Sequence, residues 1–155
     1  MVRLLKLSIG FLMIVSFGSI GLAAGSSSGS AGSKNTDLKK AKIQIKAENF
    51  GSAIKLLHTA LTKEPKSADI LNLLGYSYRK SGDRANGHLF YNKALEIDPE
   101  HKGTLEYQGE LFLMEGDLSK AKVNLKKLDN ICTFGCEAYD ELKEAIEKYD
   151  QGYSY

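Results

Sequence analysis

Cys132 and Cys136 are the only two cysteines in a chain of 155 residues, and "TFG" separates them. Three chemistries are open to such a pair. A thioredoxin-like dithiol places two residues between its cysteines and sits at a helix N-terminus after a strand, where the helix dipole lowers the thiolate pKa. Here the gap is three residues, and no strand pattern precedes it. A metal centre needs further soft or imidazole ligands. His58, His88 and His101 are far away in sequence, and no Met or His adjoins the cysteine turn. A disulfide needs only a turn, which Gly135 supplies by tolerating positive φ. The staple is therefore the expectation, and closing so short a loop contributes roughly 2 kcal/mol. A thiol-dependent accessory role in redox or metal handling, using Cys132 and Cys136, is the alternative.

Other reactive groups do not assemble into a set. The sequence holds no nucleophile–base–orienter pattern, no phosphate loop and no His-x-x-x-His. The three histidines read as solvent-exposed helix positions, and Glu106 with Glu110 reads as a solvated carboxylate face. The expectation is a chain that is not an enzyme and carries no cofactor. Lys and Arg number 21 against 19 Asp and Glu, with no basic stripe interleaved with aromatics. A nucleic-acid partner is not expected from that balance.

The first two dozen residues read as an export signal. Arg3 and Lys6 precede the apolar "LSIGFLMIVSFGSIGLAA", which is broken by serine and glycine and ends in the small residues Gly21, Ala23 and Ala24. A spanning helix wants about 20 predominantly apolar residues, so a cleaved leader over residues 1–24 is expected rather than an anchor. Loss of Arg3 and Lys6 would leave 19 basic against 19 acidic residues. The expected destination is the periplasm or the exterior, an oxidising compartment in which the cysteines pair. "GSSSGSAGS" follows, and residues 25–34 read as a flexible linker with too little apolar surface to fold.

Residues 35–152 read as one folded domain, and up to residue 135 the chain repeats itself every 34 residues. That offset lays Gly75 on Gly109, Gly82 on Gly116, Asp83 on Asp117 and Pro65 on Pro99. Copies run over 34–67, 68–101 and 102–135. Each reads as two helices: "ADILNLLGYSYRKSG" has Leu71, Leu74 and Tyr78 at helical spacing, and "RANGHLFYNKALEI" has Leu89, Phe90, Ala94, Leu95 and Ile97. Gly82–Asp83 makes a turn, and Asp98–Pro99 ends the second helix. Stacked pairs would share one continuous core. Residues 136–150 form a seventh, capping helix with Tyr139, Leu142, Ile146 and Tyr149 on its apolar stripe.

The middle copy resembles a tetratricopeptide repeat through Leu74, Gly75, Tyr78, Tyr91, Ala94 and Pro99. The third copy matches at Gly109, Phe112, Gly116, Asp117, Ala121 and Leu125 but has Thr133 in place of the proline. The first copy departs at Ala41 and Gln44. The resemblance implies an all-α fold, a right-handed helical-hairpin solenoid of three such repeats plus the cap. It also implies a groove lined by the first helix of each repeat. By position these residues are Asn35, Leu38, Lys42, Ile45 and Lys46, then Asp69, Asn72, Tyr76, Arg79 and Lys80, then Gly103, Glu106, Glu110, Leu113 and Met114. The implied function is a non-catalytic protein–protein interaction module, a scaffold or assembly factor holding a peptide or protein segment. Lys42 and Asn72 stand where relatives grip a C-terminal carboxylate, whereas Gly103 and Glu106 replace the further basic residues such a clamp uses.

Overall fold

A computed structural model describes residues 36–153. The leader, the linker and Asn35 lie outside the described residues. Within them are seven helices: α1 (Thr36–Lys46), α2 (Phe50–Lys63), α3 (Ala68–Lys80), α4 (Arg84–Ile97), α5 (Lys102–Met114), α6 (Leu118–Ile131) and α7 (Glu137–Asp150). Helices α1/α2, α3/α4 and α5/α6 pair as hairpins, and each hairpin packs on the next. The row of first helices continues from α3 through α5 to α7. The architecture is an all-α helical-hairpin solenoid.

Capping chemistry recurs with the same period. Asp83 Oδ1 accepts the Asn86 N–H at 3.0 Å to open α4, and Asp117 Oδ1 accepts the Lys120 N–H at 3.0 Å to open α6. Ser67 caps α3 through the Ile70 N–H. One period later His101 caps α5, its Nδ1 accepting the Thr104 N–H at 3.1 Å. The ring proton must then lie on Nε2, which donates to Asp69 at 3.1 Å. His101 is thus a structural cap rather than an exposed bystander. His88 also has a partner, Glu115 at 2.8 Å, and only His58 is largely open to solvent. Even His58 lies 3.0 Å from the Tyr78 hydroxyl.

The hairpin turns show why glycine recurs. Gly82 and Gly116 adopt φ of 90° and 80°. The corresponding residue of the first repeat is Glu48, which takes φ of 56° without glycine's freedom. Close packing explains two other glycines. A Cβ on Gly75 would lie 2.4 Å from the Tyr91 ring on the paired helix α4. A Cβ on Gly109 would lie 2.6 Å from Leu142, so this glycine admits α7 rather than its own partner α6.

The buried apolar residues form two clusters instead of one continuous core. Leu57, Ile70, Leu74 and Phe90 belong to the first, and Leu105, Leu113, Leu128 and Leu142 to the second, with Leu95 of α4 packed against the latter. A buried polar linkage lies where α4, α5 and α6 meet. Gln108 donates to Asn92 at 2.8 Å, and Asn124 donates to the Gln108 side chain at 3.1 Å and the Leu105 carbonyl at 3.0 Å. Leu89 and Ile97, counted among the apolar face of α4, point outward and are more than 40% exposed. Cys132 and Cys136 form a disulfide across a turn in which Gly135 has φ of 84°. The bridge joins the end of α6 to the N-cap of α7.

Candidate interaction face

Helical periodicity on α5 separates two stripes. Leu105, Gly109 and Leu113 recur every four residues and face the core, whereas Glu106, Glu110 and Met114 form the next stripe around. The same division on α3 puts Leu71, Gly75 and Arg79 inward, with Asn72, Tyr76 and Lys80 beside them. The repeat position holding Ile45, Arg79 and Leu113 is therefore core-facing. Ile45 is partly buried against the first cluster, and Leu113, expected in the groove, is instead 2% exposed in the second.

Arg79 occupies that inward position and is only 8% exposed. A buried cation must be paired, and α5 supplies the partner: Arg79 Nη1 lies 2.5 Å from Glu110 Oε2. The guanidinium sits 5.5 Å from the Tyr76 ring centre and 5.6 Å from that of Tyr107, and the two rings are 5.0 Å apart. Phe50 meets Tyr76 edge-on at 6.2 Å. Burial works against the Arg79 charge, but Tyr91 and Glu110 hold its pKa above the ordinary value. Burial, aided by the Glu106 charge, pushes the Tyr107 phenol up to about 12. The face thus has at its centre two half-buried tyrosines bracketing an ion pair that links consecutive repeats.

Glu106 departs most from its expected solvated face, being 5% exposed. Burial foremost, then a hydrogen-bonding interaction and charge repulsion from Glu141, then the charge of Glu110, raise its pKa to about 9 against the pull of Arg79. Asn72 is also buried, at 8%, and its Oδ1 lacks a hydrogen-bond partner. Lys42, Lys46 and Lys80 are exposed, Met114 is partly exposed, and Asp69 is turned toward His101. Leu38 packs against the first cluster. The residues that positional reasoning missed are Tyr107, Phe50 and Glu141. Tyr107 stands one period after Leu73, and that aromatic-for-aliphatic exchange was the available signal. Glu141 has no counterpart in the repeat, since α7 follows the last copy, so no repeat position marks it.

Residues 68–101 match the tetratricopeptide repeat family model. A stretch of 49 residues is 43% identical to cellulose synthase operon protein C of Escherichia coli K12, and equally to the putative protein of that name in Escherichia coli O157:H7. That stretch is 32% of this chain and 4% of either relative. Among solved structures, the Sgt2 TPR domain of Aspergillus fumigatus superposes with a TM-score of 0.64 at 19% identity, over 77% of this chain and 82% of that one. The first TPR domain of human RPAP3 gives 0.63 at 14% identity, over 77% and 99%. These likenesses establish the fold.

Proposed function

We propose, from the premise that the chain is a tetratricopeptide-repeat protein, that it holds a peptide or protein segment against the row of first helices. The reading is of a non-catalytic scaffold or assembly factor exported to the periplasm or beyond. The observation that carries it is the half-buried Tyr76–Tyr107 pair around Arg79. Tyrosine and arginine supply large, rigid contact area at little entropic cost and dominate binding surfaces. A face kept merely soluble has no need of two adjacent half-exposed rings. Lys42, Lys46 and Lys80 carry exposed positive charge along the first helices, so acidic groups of an occupant would be drawn to them. The leader-like N-terminus and the Cys132–Cys136 disulfide support export.

The test is a pull-down of the tagged protein from its native compartment, compared with Tyr76→Ala and Lys46→Glu variants. Arg79 is left intact because its removal would strand Glu110. A partner lost in both variants, with their melting temperatures unchanged, supports the reading. A partner retained by both contradicts it.

A further inference from the structure

A cleft of about 370 Å³ opens between α5 and α7, beside the disulfide. Its lining carries three carboxylates, Glu106, Glu137 and Glu141, against one ammonium, Lys102. Gly103 and Tyr107 also line it. Glu137 lies in the first turn of α7 and already complements that helix's positive end. Glu106 and Glu141 have no such role. Glu106 is 5% exposed, and its Oε1 is buried without a hydrogen-bond partner. Arg79, the nearest buried cation, is engaged by Glu110. Although the carboxyl interacts with Glu141, an acceptor oxygen so desolvated and without a donor is costly unless one arrives.

We infer that this cleft is a binding subsite for the cationic side chain, guanidinium or ammonium, of a segment lying along the first helices, with Glu106 and Glu141 as its acceptors. The inference rests on the interaction-face reading above for the segment, but the subsite itself is defined by the cleft. A metal ion fits less well, because no group of three His, Cys, Asp or Glu among the described residues is arranged to hold one. The polarity is opposite to that of a pocket for a terminal carboxylate. The groups facing Glu106 are Glu110 from its own helix, Arg79 from α3 and Glu141 from α7. A cation arriving there favours the ionised carboxyl, so binding displaces the Glu106 proton to solvent. Affinity for an arginine, which stays charged throughout, therefore rises with pH.

The experiment uses the full chain, isotopically labelled, and two capped alanine pentapeptides: one with a central arginine, the other with neutral citrulline in its place. The expected result is amide shifts at Gly103, Tyr107 and Ala138 with the arginine peptide, about tenfold tighter than with citrulline. That difference should grow from about pH 6 to about pH 8.5 and vanish in both Glu106→Gln and Glu141→Gln. Using both variants guards against a folding defect in either. Equal binding of the two peptides, shifts confined to Lys42, Lys46 and Lys80, or stronger shifts from calcium or phosphate would overturn the inference. Partner capture that depends on Tyr76 while the arginine peptide leaves the cleft unmoved would sink the subsite alone. The reverse outcome would sink the interaction-face reading alone.

Discussion

At the scale of single residues, Glu106 sets a pH dependence. The native state keeps its proton up to about pH 9, whereas an ordinary glutamate gives it up near 4.5. The folded chain thus binds more protons across that window, and raising the pH through it lowers stability. Glu106→Gln removes the dependence, so its melting temperature should fall less between about pH 5 and about pH 9 than that of the parent. An equal slope in both proteins would show that Glu106 ionises normally. Glu48 offers a second case. Its left-handed backbone stands where the other repeats have Gly82 and Gly116, and Glu48→Gly should raise stability by about 0.5–1 kcal/mol in urea unfolding. A loss would mean that the turn is not strained. The strained position was legible from the period of 34, since one copy lacks the glycine the others share. The buried state of Glu106 was not legible, because the residue that covers it, Glu141, belongs to a helix outside the repeat.

At the scale of the helices, two features fix α7. Gly109 admits Leu142, and the disulfide holds the chain entering the helix. Gly109→Ala forces overlap at 2.6 Å with a buried side chain and should cost about 1–3 kcal/mol. The check is thermal unfolding, with Gly51→Ala as control, since nothing lies near a Cβ at that site. Replacing both cysteines by serine should cost roughly 2 kcal/mol, with faster amide exchange concentrated in α7. Uniform loss of protection across all seven helices would contradict that local role. Most helix boundaries were readable because the turns carry their own signals: Gly–Asp at 82–83 and 116–117, Asp–Pro at 98–99, Gly135 before the cap. The destination of Gly109 was not. The sequence pairs it with Gly75 in a contact to its own hairpin partner, yet Leu142 from the following helix fills the space.

At the scale of the whole molecule, the solenoid brings together what the sequence holds apart. Tyr76, Arg79, Tyr107 and Glu110 come from two repeats and meet only because α3 and α5 lie side by side. Positional analogy to the repeat family points to the row of first helices, but the position shared by Ile45, Arg79 and Leu113 faces inward. A four-residue stripe drifts around a helix, and neighbouring stripes are only about 100° apart. The role proposed for the molecule requires that this face hold a partner. The most direct measurement is site-specific photocrosslinking in the native compartment, with the probe at position 76 and a control at the exposed Val123 on the second-helix side. One dominant protein adduct from position 76, absent from position 123 and weakened by Lys46→Glu, is the predicted result. Adducts from position 123 with none from position 76 would contradict it.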